Sequence, residues 1–441
     1  MAEPQTTSAA PAAKDGRTGG GLKGMSGNLR QYGMMIALGL LMALFTVLTD
    51  GLFLYPRNIT LLFVQNAYVL ILAIGMVMVI IAGHIDLSVG SVCAFVGATV
   101  ALSMAQWNLP WYLAILLGIL MGVLVGAWQG FWVAYMGIPG FIVTLAGYMF
   151  FRGANQFVGK SLTIPVPKDF QFIGAGYLPE WGPNTGMNNS TLLLGLLTIA
   201  ALAWLQLRSR RALVKVNAEV PPFWVTITRI VLLAVVVGWL TWMFGTGRPG
   251  TSFPVPGLIL AALVIIYSFI TGRTVTGRHI YAVGGNRLAA ELSGVNTRRT
   301  YFLVMLNMSV LSAAAGLMFV GRSTASGPFD GVGWELDAIA AVFIGGAAVS
   351  GGVGTVIGSI IGGLVMAVLN NGLQLMSAGS DVTQMIKGLV LLAAVALDVW
   401  QKRRGQASTG GLFSRNKVEE TAPTETQLLE EDTSIAQAES S

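Results

Sequence analysis

The sequence has 441 residues, of which 54% are hydrophobic and 10% are charged, and its formal net charge is +6. Soluble domains carry about 25% charged residues, so this composition excludes a soluble globular protein and predicts an all-α membrane protein with several spans. The single cysteine, Cys93, excludes an intrachain disulfide, and two histidines are too few for a typical zinc or iron site.

The chain begins with a segment, residues 1–31, that is rich in Ala, Gly, Ser and Thr and is predicted to be a disordered cytoplasmic tail. The apolar run from Tyr32 to Leu54 is too long for a signal-peptide core and lacks a following small-residue cleavage site, so it is predicted to be an uncleaved span. Twelve candidate transmembrane helices lie at residues 32–54, 59–82, 87–104, 110–136, 138–158, 191–207, 223–244, 252–271, 300–320, 335–350, 354–373 and 384–400. Several are shorter than the ~20 residues that cross a ~30 Å hydrocarbon core.

The distribution of Lys and Arg predicts which loops are cytoplasmic, because cytoplasmic loops carry most of these residues. With both termini cytoplasmic, 18 of the 26 basic residues lie inside and 5 lie in outer loops. The membrane domain, residues 32–400, then has an extracytoplasmic loop at 159–190 and cytoplasmic loops at 208–222 and 272–299. Residues 401–441 turn basic and then acidic, and are predicted to form a second disordered cytoplasmic tail.

The segment from Thr276 to Thr300 is the most basic of these loops, with four arginines and one carboxylate, Glu291. Asn286 is predicted to cap a short helix over residues 287–292, and Gly294 to end it in the left-handed conformation. Such a helix is too short to be stable alone, so it must be held by its own protein or by a partner. An ordinary polar connection is the alternative.

Two glycine ladders lie inside predicted spans, at Gly118, Gly122, Gly126 and Gly130 and at Gly354, Gly358 and Gly362. Their i+4 spacing puts the glycines on one helix face, which predicts close helix packing. A direct contact with a transported molecule is the less favoured reading.

Carboxylates interrupt the apolar runs at two places. Asp86 lies in the sequence GHIDLSVG, and Glu335 and Asp337 lie at the start of a later span. A charge at the bilayer centre costs roughly 2.5–3.5 kcal/mol on insertion scales, so Asp86 is predicted either to cap the following helix or to line a polar path.

The sequence contains no recognisable nucleotide-binding or catalytic motif. The segment from Gly153 to Ser161 approaches the pattern GxxxxGK[ST], but five residues instead of four separate its glycines. No nucleophile with an adjacent base and no carboxylate pair on a soluble face is recognisable either. The sequence therefore predicts no catalytic residues, no metal site and no ATP bound by this chain.

Several motifs together resemble one family. GRHIYAVGGN at 277–286, AAELSGV at 289–295, GHIDLSVGS at 83–91, ELDAIAAVFIGG at 335–346, GGVGTVIGSIIGG at 351–363 and LNNGLQL at 369–375 are similar to the permease subunits of bacterial ribose, xylose and galactose ABC importers. The extra apolar segments between about 190 and 245 resemble the longer, xylose-type members.

The resemblance implies a multi-pass permease of the bacterial inner membrane that works as a homodimer. It also implies a cytoplasmic ATPase subunit, which binds ATP and Mg²⁺, and a periplasmic sugar-binding protein, with no role for nucleic acid. The short helix becomes the coupling helix that docks into the ATPase, with the residues Asn286, Arg287, Ala289, Ala290, Glu291, Leu292, Ser293 and Gly294.

The transported molecule is then expected to be xylose or a related pentose or hexose, moved by alternating access. Neutral sugars need hydrogen-bonding groups and aromatic faces, so the candidate path residues are Gln65, Asn66, Asp86, Asn370, Asn371 and Gln374. Hydrogen bonds between helices are the alternative role for these side chains. A branched-chain amino-acid ABC permease and, less favoured, a gradient-driven secondary transporter remain as alternative functions.

Overall fold

The computed structural model describes residues 26–183, 185–215, 220, 222–246 and 252–409. The chain divides into a unit of residues 1–395 and a second unit of residues 396–441, whose described part, residues 396–409, is helical. Most of both predicted tails lies outside the described residues. The first helix nevertheless begins at Ser26 and the last ends at Thr409, so each helix includes a few residues that were assigned to a tail.

The described residues form fifteen α-helices, one 3₁₀ turn (Leu52–Leu54) and two short paired strands. The helices are α1 (Ser26–Leu48), α2 (Pro56–Ile81), α3 (Val89–Gln106), α4 (Trp111–Ala134), α5 (Gly140–Val158), α6 (Lys168–Ala175), α7 (Asn189–Lys215), α8 (Phe223–Thr246), α9 (Val255–Arg273), α10 (Val275–Gly285), α11 (Arg287–Leu292), α12 (Thr297–Ser323), α13 (Trp334–Ile344), α14 (Val356–Leu375) and α15 (Ser380–Thr409). The strands are β1 (Ile164–Pro165) and β2 (Ala325–Ser326), which pair antiparallel.

Eight of these helices are long and apolar enough to cross a membrane, judged by length and composition: α2, α3, α4, α7, α8, α9, α12 and α14. The predicted all-α polytopic architecture is confirmed, while the count of twelve spans stays a prediction.

One predicted span, residues 335–350, is not a single helix that crosses the membrane. Helix α13 has 11 residues, which at 1.5 Å per residue is about 16 Å, or half of a ~30 Å hydrocarbon core. The chain beyond it turns at Gly346, Gly351 and Gly352, whose φ angles are 88°, 80° and 72°. Hydropathy does not distinguish these apolar turns from helix, so the prediction overestimated the helix length.

Helix α12 lies at the centre of the bundle and packs against α2, α3 and α4. The first glycine ladder, on α4, faces α12: a Cβ added at Gly122 would lie 2.7 Å from the Cβ of Ala313, and one at Gly126 would lie 2.6 Å from the Cα of Leu306. A side chain at either position would separate the helices, so the predicted packing role is confirmed.

The second ladder is only partly helical: Gly354 lies before α14 and faces Ile81, while Gly358 and Gly362 lie on α14 and face α13. A Cβ added at Gly358 would overlap the carbonyl oxygen of Gly345, and one at Gly362 would overlap that of Ala341. Helices α13 and α14 therefore pack backbone to backbone, which holds the half-length helix α13 inside the bundle.

Helix α12 defines the two ends of the bundle. Helix α12 has 27 residues, about 40 Å at 1.5 Å per residue. Its first residue, Thr297, follows α10 and α11, and we call this the α11 end. Its last turn contains Arg322, and we call the opposite end the Arg322 end.

Candidate functional site

A polar cavity of about 310 Å³ lies toward the Arg322 end, between α2, α12, α13, α14 and α15. Its lining residues are Gln65, Asn66, Tyr68, Val69, Arg322, Val332, Trp334, Asp337, Asn370, Asn371, Gln374, Thr383 and Lys387. Five of the six predicted path residues, all except Asp86, are among them. The structure thus brings together amides that are separated by about 300 positions in the chain.

Helix periodicity explains why these amides meet. Asn370, Asn371 and Gln374 are spaced at i, i+1 and i+4 on α14, and Gln65, Asn66 and Val69 have the same spacing on α2. Residues three and four apart lie on one helix face, so each helix presents its amides to the cavity from one side.

Some of the amides are already paired within the protein. The Nδ2 of Asn58 donates to Oδ1 of Asn371 at 2.8 Å, and the Nδ2 of Asn371 donates to Oδ1 of Asn58 at 2.9 Å. The Nδ2 of Asn66 donates to the carbonyl of Leu62 at 2.8 Å. For Asn371 the alternative role, a hydrogen bond between helices, is therefore also realised.

Asn370 differs from its neighbour. Its Oδ1 is buried and accepts no hydrogen bond from the described residues. A buried acceptor without a partner costs about 1–3 kcal/mol, and such atoms are normally satisfied by water or a ligand. Asn370 therefore offers the cavity an acceptor that a hydroxyl group could satisfy.

An ion pair joins two of the helices that line the cavity. The Nζ of Lys387 on α15 lies 3.0 Å from Oδ1 and 3.0 Å from Oδ2 of Asp337 on α13. The sequence signal was present, because a lysine and a carboxylate in apolar segments are costly unless they pair, but Lys387 was not predicted as a site residue. The pair links α15 to the half-length helix α13.

An aromatic wall completes the cavity. The ring of Trp334 lies 4.4 Å from the rings of Tyr68 and Phe319, between centroids, and Arg322 lies 6.0 Å from the Phe319 ring. The Nη1 of Arg322 donates to the carbonyl of Gln65 at 3.4 Å. The sequence does not single out Tyr68, Phe319 or Trp334 as site residues, because aromatic residues are common in any apolar helix.

Asp86 lies elsewhere, at 1% exposure. Its Oδ1 accepts from the backbone N–H of Ser88 at 2.8 Å and from the Ser88 hydroxyl at 2.7 Å, and the Ser88 Oγ accepts from Nε2 of Gln129 at 2.7 Å. Ser88 is the N-cap of α3. Asp86 thus orders the turn before α3, close to the predicted capping role, and does not line the polar cavity.

At the α11 end, the predicted short helix is confirmed. Asn286 is its N-cap, with Oδ1 accepting from the backbone N–H of Ala289 at 3.0 Å, and Gly294 follows it with φ 84°. Ala290 is buried at 5% exposure, while Leu288 and Leu292 are 67% and 83% exposed. The helix therefore has one face packed on its own protein and another that presents two leucines.

Local contacts hold α11 in place. Oε1 of Glu291 accepts from the Thr297 hydroxyl at 2.7 Å and from Nε of Arg287 at 3.1 Å, and Arg287 lies over the Tyr301 ring at 5.6 Å. The hydrogen bond from Thr297 and the bond from Arg287 lower the pKa of Glu291, since both favour its charged form. Because all four residues lie within 15 positions, this arrangement is largely local.

Helix α10 joins α11 to the membrane helices through a backbone contact that we call the Gly284 junction: Gly284, Ile81 and Gly352. A Cβ added at Gly284 would overlap the carbonyl oxygen of Ile81, and the N–H of Gly352 donates to that same oxygen at 2.8 Å. The Tyr281 hydroxyl donates to the carbonyl of Gly354 at 2.7 Å. Helix α10 thus contacts the end of α2 and the turn after α13, two helices that also line the polar cavity.

The described residues contain no group of three or more His, Cys, Asp or Glu side chains placed to hold a metal ion. The geometry is that of a polar cavity between membrane helices, connected through packed backbone to a short exposed helix at the opposite end.

Comparison with known proteins gives a consistent set of relatives. The profile of the family described as "Branched-chain amino acid transport system / permease component" matches residues 58–395. The chain is 40% identical to a xylose transport system permease of Haemophilus influenzae over 86% of this chain and 98% of that protein. It is 39% identical to the xylose transport system permease of Escherichia coli K12 (88% and 96% covered) and 30% identical to the ribose import permease of that strain (84% and 94% covered). No solved structure matches the chain.

Proposed function

We propose that this chain, which belongs to the family of branched-chain amino acid transport system permease components, is the permease subunit of an ABC importer for a monosaccharide, with xylose as the first candidate. Relatives that cover most of the chain are xylose and ribose permeases. They favour a sugar over a branched-chain amino acid, although the family description names the latter.

The observation that carries the proposal is the chemistry of the polar cavity. It combines amide groups, the unpaired acceptor of Asn370 and the aromatic faces of Trp334 and Tyr68. Small-molecule sites fix a ligand with a few placed polar groups, and aromatic rings pack on apolar ligand faces. A pentose, with hydroxyl groups at its edge and C–H groups on its faces, suits this lining better than the aliphatic side chain of leucine or valine.

In the proposed mechanism, ATP and Mg²⁺ bind to a separate ATPase subunit, and the permease works as a homodimer in the bacterial inner membrane. The exposed Leu288 and Leu292 of α11 contact the ATPase. Movement of α11 displaces α10, which contacts α2 and the turn after α13 at the Gly284 junction. The displacement of α2 and α13 then opens the cavity alternately to each side. A periplasmic sugar-binding protein delivers the substrate.

Reconstitution in lipid vesicles tests this function. The chain with its ATPase and binding protein is expected to accumulate labelled xylose or another monosaccharide only when ATP is present, and the lone chain is expected to accumulate none. Uptake of leucine in preference to sugars would support the branched-chain alternative. Gradient-driven uptake by the lone chain would overturn the proposal.

The cavity is tested separately with Asn370→Ala. Loss of its acceptor is expected to lower sugar uptake about tenfold, the effect of roughly 1.4 kcal/mol, within the range for one hydrogen bond. Gln106→Ala is the matched control, because Gln106 is an exposed amide at the end of α3 and lies outside the cavity. Equal effects of the two substitutions would remove the cavity from the transport path.

The proposed topology, with both termini cytoplasmic and the loop 159–190 periplasmic, rests on the charge distribution. Single cysteines at Ser161 and Ser209, in a Cys93→Ala background, are expected to react with a membrane-impermeant reagent from opposite sides. Reaction of both from one side would overturn this orientation.

A further inference from the structure

A second cavity, of about 280 Å³, lies next to the polar cavity, between α13, α14 and α15. Val332, Asp337 and Lys387 line both cavities. Apart from Gln384, the other residues around the second cavity are apolar or glycine. The two cavities are therefore neighbours that share a wall and differ in chemistry.

The second cavity lies nearer to the α11 end than the polar cavity does. The turn between α13 and α14 contacts Ile81 and Gly284 at the Gly284 junction, so α13 runs toward the α11 end and α14 runs away from it. Helix α15 follows α14 and runs toward the α11 end again. On each helix the polar cavity takes a residue closer to the Arg322 end, and the second cavity takes one closer to the α11 end: Trp334 and Ala340 on α13, Asn370 and Met366 on α14, and Thr383 and Leu391 on α15. The two cavities thus follow one another across the membrane.

The ion pair of Asp337 and Lys387 lies where the two cavities meet. The Nζ of Lys387 is 3.0 Å from both carboxylate oxygens of Asp337, and the side chains of Lys387 and Asp337 are only 24% and 12% exposed. Opposite charges attract more strongly where little water screens them. The attraction therefore holds the shared wall closed.

Helix α15 is the side of this wall that can move. Helix α13 packs backbone to backbone on α14 at Gly345 and Gly358, whereas none of the described side chains of α15, residues 380–396, is buried. The hydrogen bond from Lys387 to Asp337 ties α15 to α13. Loss of that bond would free α15 at the cost of little packing.

Hydroxyl groups are suited to separating this pair. A charged side chain in an apolar segment is costly without a partner, so each member of the pair needs a replacement when the pair opens. A hydroxyl group donates to a carboxylate, and its oxygen accepts from an ammonium group. A molecule with several hydroxyl groups offers both replacements at once, while the aliphatic side chain of leucine offers neither.

We propose that the ion pair of Asp337 and Lys387 is a gate between the polar cavity and the second cavity, and that hydroxyl groups of the transported molecule open it by replacing each partner. Both side chains then contact the transported molecule and favour polyhydroxylated molecules over aliphatic ones. The proposal rests on the transport function proposed above and adds to it a second cavity and a step that determines specificity.

The test compares cysteines above and below the pair on one face of α14, in a Cys93→Ala background. Gln374→Cys lies in the polar cavity and Met366→Cys in the second cavity. Each is combined with the intact pair, with Asp337→Asn/Lys387→Gln and with the reversed pair Asp337→Lys/Lys387→Asp. The full chain is expressed in spheroplasts, and a charged, membrane-impermeant methanethiosulfonate reagent is added outside, where the Arg322 end is exposed in the proposed topology.

With the intact pair, Met366→Cys is expected to react slowly, and with the amide pair about tenfold faster, the effect of roughly 1.4 kcal/mol of lost attraction. The reversed pair should restore the slow reaction, because the charges attract again. Both double variants keep the summed charge of the two positions at zero, so the local concentration of the reagent changes little. Gln374→Cys should react at the same rate in all three backgrounds.

Opening by hydroxyl groups is measured separately, as the distance between nitroxide spin labels at Leu336→Cys and Leu392→Cys. Both positions are exposed, at 53% and 65%, on α13 and α15. In the chain with the intact pair, saturating xylose or ribose, probed separately, should lengthen this distance, and leucine at the same concentration should not. Electron paramagnetic resonance in nanodiscs gives the distance.

Several outcomes would overturn the proposal. Equal reaction rates of Met366→Cys with the intact and the amide pair would show that the pair is no barrier. A fast reaction with the reversed pair would show that packing, and not attraction between charges, closes the wall. A faster reaction at both cysteines would show a general loosening of the fold, and an equal effect of leucine and the sugars on the label distance would remove the specificity. The cysteine reactions need neither sugar nor ATPase, so the gate and the transport function can fail separately.

Discussion

Helices α2 and α8 have nearly the same apolar character and opposite environments. The mean hydropathy of their most apolar windows is 2.3 and 2.1, yet 83% of that window is buried in α2 and 6% in α8. Lipid is as apolar as a leucine side chain, so the hydrophobic effect does not decide which helix packs on protein. Small residues and polar contacts decide it instead.

The glycines of the two helices show this rule. Gly75 of α2 lies against α12, where an added Cβ would lie 2.6 Å from Sδ of Met308, while a Cβ at Gly238 of α8 would meet nothing within 4 Å. Helix α2 also has polar contacts at both ends, with the cavity amides and with the Gly284 junction. Helix α8 packs on α7, and its buried residues other than Thr226 lie at one end of the helix.

Gly284→Ala is expected to have the largest effect, because Gly284 of α10 packs against the end of α2. Its new methyl group would overlap the carbonyl oxygen of Ile81, so α10 must move away from α2, at a cost of about 3 kcal/mol, the upper range for overpacking. A lower melting temperature and loss of sugar-stimulated ATP hydrolysis are expected in the reconstituted importer.

Gly285→Ala is the control, because a Cβ at Gly285 meets nothing within 4 Å. Both changes replace a helical glycine with alanine, so they share the same gain in helix propensity. Similar behaviour of the two variants would show that the backbone contact between α10 and α2 is not needed.

The second prediction concerns α11, which is joined to α2 through α10 but lies outside the packed helices. Ala290→Pro removes an N–H that donates to the carbonyl of Asn286 at 3.0 Å and costs about 3 kcal/mol in a helix interior. Gly294→Val also destabilises the helix end, because valine is strained in the left-handed conformation that Gly294 adopts. Both variants should insert and dimerise, yet lose ATPase association in a pull-down assay.

Ala290→Gly keeps the N–H and costs only about 1 kcal/mol of helix stability, so it should retain most of that association. Full association of both Ala290→Pro and Gly294→Val would leave α11 as an ordinary connection.

The third prediction repeats one substitution in both helices. Val79 of α2 is 0% exposed and Val235 of α8 is 65% exposed. Because lipid replaces water as the alternative environment, Val79→Ala loses only packing contacts, about 1 kcal/mol, and Val235→Ala loses almost none. Unfolding by denaturant in bicelles measures the loss of stability in both variants, provided that they are expressed equally. An equal loss of stability would mean that the middle of α8, where Val235 lies, is covered by protein.

These contrasts explain which features could be predicted from the sequence. The helix α11 was predicted correctly, because Asn286 and Gly294 act on residues at most a few positions away. The i+4 spacing likewise predicted the close packing of the first ladder and of Gly358 and Gly362, whereas Gly354 lies before α14. The amides of the cavity were identified by their chemistry, but nothing local predicts that Gln65 and Asn370 share one cavity.

The errors have a physical cause as well. Residues 335–350 have the hydropathy of a span, but the end of α13 is set by glycine turns at Gly346 and Gly351, which hydropathy does not measure. A buried carboxylate predicts a polar path at Asp86, yet Asp86 does not line the polar cavity: its Oδ1 accepts hydrogen bonds from Ser88, while its Oδ2 is buried without a partner among the described residues. The ion pair of Lys387 and Asp337 could not be predicted, because it joins two segments that are distant in the sequence.

The smallest expected effect is the pH dependence of α11, where charge rather than packing holds the helix. The pKa of Glu291 is lowered by the Thr297 hydroxyl and by Arg287. A carboxylate with a lowered pKa in the folded state stabilises the fold above its unfolded pKa, about 4.3, and the contribution is lost as the pH falls through the lower folded value. A nitroxide spin label at Leu292→Cys, in a Cys93→Ala background, should therefore become more mobile as the pH falls below that unfolded value. Thr297→Ala should move this transition to higher pH, since it removes the largest cause of the shift, and Glu291→Gln should abolish it. A transition that is unchanged in Glu291→Gln would assign the pH dependence to another group and leave α11 held by the packing of Ala290 alone.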